Sequence, residues 1–154
     1  TYIRRHVTTK LVFEPRYFEG RESTKENFYG NRFDWNKDKD LLDIFIKQAE
    51  KTFRLNIKQV ADTGGIDLRN LDHFKPHTDT EVGKLNILVM IAGPPAVTNG
   101  TVFYTDNQLD IHVGFRENRA VMFSSDKLHS QHASPVPNLR RYTASIFVKD
   151  YELV

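Results

Sequence analysis

The chain has 154 residues, a net charge of +2 at pH 7, 39% hydrophobic and 27% charged residues, and no cysteine. These values describe an ordinary soluble globular chain, read as one domain over 1–154 and long enough to bury a substantial core. The lack of cysteine excludes disulfides, thiolate catalysis, zinc–cysteine sites and iron–sulfur clusters. So small a net charge, with a pI near 8.8, gives no strong pull toward nucleic acid or anionic lipid. No apolar run approaches the ~18 residues of a membrane span, and the N-terminus lacks the shape of a signal peptide. A cytoplasmic location fits, with neither membrane nor nucleic acid as a partner. The chain opens on Thr1 rather than Met, so residues can precede it.

In chain order, residues 1–35 read as strand and loop. Thr8–Phe13 is the expected strand, closed by Pro15, and Gly20–Gly30 is a polar connector. Tyr17, Phe18, Phe28, Tyr29, Phe33 and Trp35 crowd this region and are read as covering one end of the core rather than as a base-stacking surface. A supporting helix follows over about 38–54. Leu41, Leu42, Phe45, Ile46, Ala49 and Phe53 recur at spacings of three and four, an apolar stripe suited to packing on a sheet. Asp38 is its expected cap, and Asp40 and Asp43 lie near the positive end of its dipole.

Over 56–154 the pattern changes to short apolar and β-branched runs between turn signals. The expected strands are Ile66–Leu71, Lys84–Ala92, Thr101–Tyr104, Leu109–Val113, Arg119–Phe123 and Arg140–Val148. The breaks between them are Gly64-Gly65, Pro76, Gly93-Pro94-Pro95, Asn99-Gly100, Asp106-Asn107, Gly114, Pro135 and Pro137. Successive short strands with no helix between them predict a β-sandwich or jelly roll, with the helix packed outside. The fold class is mainly β with a flanking helix.

Chemistry concentrates at His77-Thr78-Asp79. On an extended segment a histidine and a carboxylate two residues apart point to the same side. One more histidine from a distant strand would complete a three-ligand cap on a metal and leave three positions open, which suits non-haem Fe(II). His129 and His132 are the candidates, and on an extended strand they face opposite sides. His73, four residues before His77, would suit a helical two-histidine site, but Pro76 argues against a helix there. His6 and His112 read as structural or exposed.

Downstream, Asn-Arg-Ala-Val-Met-Phe from 118 to 123, His132-Ala-Ser-Pro-Val and Arg-Arg-Tyr-Thr-Ala-Ser-Ile-Phe-Val from 140 to 148 complete a pattern. It resembles the Fe(II)- and 2-oxoglutarate-dependent oxygenases, and within them the prolyl 4-hydroxylase-like branch, over roughly residues 66–148. The family pattern is His-x-Asp, a third histidine fifty or more residues on, then Arg-x-Ser/Thr some nine or ten residues later. Here 53 residues separate Asp79 from His132, nine separate His132 from Arg141, and His129 would give twelve. The resemblance therefore selects His77, Asp79 and His132 as metal ligands, with His129 beside the site. It implies a double-stranded β-helix, a cupin-like barrel.

Arg141, Thr143 and Ser145 alternate along one strand and share a face. A buried arginine needs an anionic partner, and the far carboxylate of 2-oxoglutarate would serve, held by the guanidinium fork. By the same resemblance Thr143 or Ser145 adds a hydrogen bond, while Arg140 points outward. The branch places a tyrosine on the strand after His-x-Asp; here Leu85–Ile91 has none, and Asn86, its one polar side chain, is the candidate substitute.

The resemblance implies hydroxylation of a C–H bond using Fe(II), 2-oxoglutarate and dioxygen, with ascorbate as a supporting reductant and release of succinate and carbon dioxide. The carboxylate of Asp79 favours hydroxylation over halogenation. Peptidyl proline is the first expectation for the substrate, with Gly93–Asn99 as a clamping loop and a peptide or protein preferred to a small molecule. A small-molecule or free amino-acid hydroxylase is the alternative within the class. Outside it stand a non-catalytic barrel that binds metal or carboxylate, and a structural jelly roll.

Overall fold

The computed structural model describes residues 2–17, 28–69, 75–132 and 140–154. Helix α1 (Tyr2–Thr9) stands where a strand over Thr8–Phe13 was expected. Its last turn is closed by hydroxyls: Thr8 donates to the carbonyl of Arg4 at 3.0 Å, and Thr9 to that of Arg5 at 2.7 Å. This back-bonding lets β-branched residues end a helix. Val7 is fully buried and pins the helix to the core. Pro15 does not close a strand but lies inside one, β1 (Glu14–Tyr17), at the edge of a sheet, where a missing N–H is tolerated.

After β2 (Phe28–Asp34) and a 3-10 turn at Trp35–Lys37 comes α2 (Lys39–Phe53), as its spacing predicts. The Asp38 carboxylate accepts from the Leu41 N–H at 2.9 Å and caps the helix. Arg54, in the left-handed region at φ 55°, ends it.

The remaining strands are β3 (Leu55–Arg69), β4 (Leu85–Ala92), β5 (Ala96–Thr105), β6 (Gln108–Phe115), β7 (Arg119–Ser124), β8 (His129–His132) and β9 (Arg141–Leu153). A larger sheet runs β1-β2-β3-β9-β4-β7 and a smaller one β6-β5-β8, with antiparallel pairing throughout. The two sheets form the jelly roll. One face of the larger sheet carries α1 and α2, and the other faces the smaller sheet across a cavity. The core lies under the helices, where Trp35, Leu41, Leu42, Phe45 and Ala49 meet Ile66, Ile87, Ala144, Ile146 and Val148. Trp35 is buried, and its indole N–H donates to the Ser145 carbonyl at 2.9 Å.

Two expected turns are strand interior instead. Gly64-Gly65 belongs to β3, at a bulge facing β9, where a Cβ on Gly64 would come within 2.8 Å of the Ser145 carbonyl. Asn99-Gly100 belongs to β5, so Gly93–Asn99 is not a free loop: its last residues are already paired strand. In both places glycine permits close approach of neighbouring backbone rather than reversal of the chain. Phe33 and Trp35 bear out the reading of the N-terminal aromatics as core. His73, Leu71, Phe18, most of the 20–30 connector, and Pro135 and Pro137 lie outside the described residues. Among those described, no helix is long and apolar enough to cross a membrane.

Ile146 is 1% exposed at the centre of the larger sheet. Ile146→Ala is expected to cost about 2–5 kcal/mol of stability, against about 1 kcal/mol for Asp38→Ala. Urea denaturation of the two variants would rank them, and a larger loss at Asp38 would contradict this placement of the core.

Candidate functional site

Three side chains converge at one end of the cavity. His77 and His129 exchange both backbone hydrogen bonds, His77 N to His129 O at 2.9 Å and His129 N to His77 O at 3.0 Å. Residues paired this way project on the same side, and the two imidazole centroids lie 4.4 Å apart. Asp79, anchored by its N–H to the Ser125 carbonyl at 2.8 Å, turns its carboxylate toward both rings. One ligand-type atom from each of His77, Asp79 and His129 falls within 4.8 Å of the other two.

This corrects the choice of His132. Gly100 is its partner on β5, while His129 lies opposite Phe103. Being three residues from His129, it leaves the opposite face of β8, is exposed, and packs edge-on against His112 at 5.0 Å. No signal along the chain alone singles out His129, whose claim rests on its pairing with His77.

The rings are held in one orientation. The Nδ1 atoms of His77 and His129 each lie 2.9 Å from a carbonyl two residues upstream, Lys75 and Lys127. A carbonyl only accepts, so each Nδ1 carries a proton and each Nε2 is the ring atom turned toward Asp79. Those Nε2 atoms stand 3.8 Å and 3.3 Å from the two Asp79 oxygens. Ring nitrogen and carboxylate at that range can share a proton or hold a metal cation between them, and two imidazole nitrogens with one carboxylate form a suitable donor set for Fe(II).

Electrostatics agree. Burial pushes the His77 imidazole below its ordinary value, against the Lys75 hydrogen bond and Asp79. Burial raises Asp79, but hydrogen bonds and charge from His129, His77 and Asn86 outweigh it and hold the carboxylate below its usual range.

Asn86 has a different task from the one expected. Its amide N–H donates to Asp79 Oδ2 at 2.5 Å, fixing the carboxylate, while its buried Oδ1 has no partner among the described residues. Phe123 and Phe103 pack on the His129 ring at 4.7 and 6.3 Å and shield it from water.

The other end of the cavity is cationic. Arg141, Thr143, Ser145 and Phe147 all line it, which is the face alternation expected of β9. Arg141 is 4% exposed. Its Nη1 donates to Asn99 Oδ1 at 3.0 Å and to the Gly100 carbonyl at 3.2 Å, and Nε has no partner among the described residues. No carboxylate among those residues forms an ion pair with it. Burial first, and then the neighbouring charge of Arg69, lower its pKa to about 9, with Asp67 acting the other way. At neutral pH it remains a buried cation. Arg140, its neighbour, is exposed. Arg32, Asp67, Arg69, Thr101 and Gln131 complete this end of a cavity of about 360 Å³.

No protein-family model matches the sequence, and no curated protein matches it. Similarity appears in solved structures. One is the non-heme alpha-ketoglutarate-dependent epimerase SnoN from nogalamycin biosynthesis, with a TM-score of 0.61 and 12% identity, covering 99% of this chain and 70% of that one. Another is AviO1 from Streptomyces viridochromogenes Tue57, with a TM-score of 0.54 and 14% identity, covering 96% of this chain and 79% of that one. The expectation of a peptide or protein substrate in preference to a small molecule is overturned by the likeness to SnoN, an epimerase from nogalamycin biosynthesis. Nor do the comparisons single out the prolyl 4-hydroxylase-like branch.

Removing the third ring should separate the two histidines. His129→Ala is expected to weaken Mn(II) binding about 100-fold or more, Asn86→Ala by about 10–100-fold, and His132→Ala by less than about twofold. Calorimetric titration measures all three, and a His132→Ala loss equal to that of His129→Ala would refute the assignment. The fold carried by this chain is a jelly roll shared with the non-heme alpha-ketoglutarate-dependent epimerase SnoN and with AviO1.

Proposed function

We propose that this protein is an Fe(II)- and 2-oxoglutarate-dependent dioxygenase that hydroxylates a C–H bond of a small organic molecule. The observation that carries the reading is one cavity with two ends. At one end two imidazoles and a carboxylate converge; at the other a buried arginine has no acidic partner among the described residues. A five-carbon dicarboxylate can meet both needs at once.

The donor set fits the metal, with His77 and His129 offering Nε2 and Asp79 a carboxylate oxygen. When bound there, Fe(II) supplies dioxygen chemistry that none of these side chains can perform. The protein's own part is positioning. Asn86 locks the Asp79 carboxylate, the Lys75 and Lys127 carbonyls lock the rings, and Phe103 and Phe123 keep water from one side. Arg141 holds the far carboxylate of 2-oxoglutarate, with the hydroxyls of Thr143 and Ser145 on the same face as further donors. The reaction balances as C–H plus 2-oxoglutarate plus dioxygen giving C–OH, succinate and carbon dioxide.

A small-molecule substrate is supported by a cavity volume at the low end of small-molecule sites, and by the likeness to SnoN, an epimerase of a biosynthetic route.

The test is anaerobic addition of Fe(II) and then 2-oxoglutarate, followed in the visible spectrum. A weak charge-transfer band that needs both additions is expected, as is slow conversion of 2-oxoglutarate to succinate once air is admitted. Metal binding with no band and no succinate would mean a non-catalytic metal-binding barrel. Arg141→Gln should raise the 2-oxoglutarate concentration needed for half-maximal band by at least about tenfold, whereas Arg140→Gln should leave it unchanged.

A further inference from the structure

Strand β8 presents histidines on both of its faces. His129 and Gln131 line the cavity, and His132 leaves the other side. A second ring reaches that side from β6. His112 lies opposite Val102 on β5, and His132 lies opposite Gly100, two residues along the same strand. Paired residues project to one side of a sheet, and so do residues two apart on a strand. His112 and His132 therefore share the outer face of the smaller sheet, on the two strands that flank β5.

Strands that flank a common neighbour lie about 9–10 Å apart. The two ring centroids are only 5.0 Å apart, with the rings nearly perpendicular at 79°. The imidazoles thus lean toward each other over β5. The patch they lean across is bare, because Gly100 faces Gly114 and neither carries a side chain. At Gly100 nothing larger fits, since a Cβ would run into the Val113 carbonyl. Two imidazoles bound to one tetrahedral ion, each nitrogen about 2.0–2.1 Å from it, have ring centres about 5 Å apart. The spacing of His112 and His132 already matches.

The His112 ring itself calls for a ligand. Its Nε2 is buried and has no hydrogen-bond partner among the described residues, a costly state for a polar atom. Burial first, and then the charge of His132, push this imidazole below its ordinary value, toward the form that metals bind. Asp110, two residues along β6, is engaged with Thr105 at 2.7 Å and Lys127 at 3.7 Å. The donor set is then two nitrogens without a carboxylate. His132 is exposed, so an ion can arrive from solvent and keep water in its remaining positions.

We propose that His112 and His132 form a second metal site, on the outer face of the smaller sheet, for a divalent cation of the Zn(II), Ni(II) and Cu(II) class. Imidazole suits these ions, whereas Mn(II) favours oxygen donors and stands lowest in the first-row order. The inference is independent of the function proposed above, because it uses none of the residues that line the cavity.

Calorimetric titration with Zn(II) in a non-chelating buffer tests it. Wild type is expected to take two ions, and Mn(II) only one. His112→Ala and His132→Ala should each lose one Zn(II) and keep the other, with circular dichroism unchanged. The double variant His77→Ala/His129→Ala should lose the inner ion and retain the outer one. Cu(II) bound to that variant should show electron paramagnetic splitting from two nitrogens, and His132→Ala in the same background should abolish the pattern. A single wild-type ion that both outer variants lose would support the outer site and remove the inner one. A Zn(II) count that neither outer variant lowers would overturn the proposal, as would a loss confined to one of them. Wild type and the two outer variants decide the matter even where the inner double variant fails to fold.

Discussion

Between Arg141 and Val148 every second side chain of β9 goes under the helices and every other one into the cavity, because a strand alternates its faces. Tyr142, Ala144, Ile146 and Val148 help to build the core, and Arg141, Thr143, Ser145 and Phe147 line the cavity. The strand is flanked by β3 and β4, so neither face can slip without carrying apolar residues out of the core. The burial of Ala144, Ile146 and Val148 thus holds a cation in a place that would otherwise expel it. Core stability and the placing of a buried cation are two faces of one register.

The same logic explains which features were legible beforehand. His77, Asp79 and Arg141 could be read because their arrangement is local: two residues apart in one case, and the opening of a long alternating strand in the other. The α2 stripe was legible for the same reason, and Asp38 caps it as its position suggests. His129 was hidden because its claim depends on pairing with His77, more than fifty residues away, which no spacing along the chain reveals. Interval counting favoured His132, yet three residues on a strand reverse the direction of a side chain. Gly64-Gly65 and Asn99-Gly100 misled for a related reason. A glycine that lets two strands approach looks in sequence like one that turns the chain, and only the neighbouring strand tells them apart. Helix α1 was missed because its threonines, poor helix formers alone, are rescued by their bonds to Arg4 and Arg5 and by the burial of Val7.

The cavity is polarised from end to end. Two imidazoles gather at the Asp79 carboxylate, shielded by Phe103 and Phe123, while three guanidiniums gather around Asp67. Such a gradient turns the negative end of a molecule entering the cavity toward the guanidiniums before any contact is complete. The peptide expectation came from the likeness of the last strands to prolyl hydroxylases. That likeness reflects what any strand must provide to carry an inward arginine over a packed core, and so says little about what enters the cavity.

His77 and His129 each spend their Nδ1 proton on a carbonyl only two residues upstream. The orientation of each ring is therefore written into its own short segment, independent of the other strand. When the two segments meet, the nitrogens arrive already aimed, and little rotamer freedom remains to be lost when an ion is captured. Such preorganisation strengthens binding without choosing among ions. Two imidazoles and a carboxylate rank first-row divalent metals in their general order of affinity, with copper and zinc above iron. Which ion such a site takes is thus a matter of supply, governed by what is available as the chain folds.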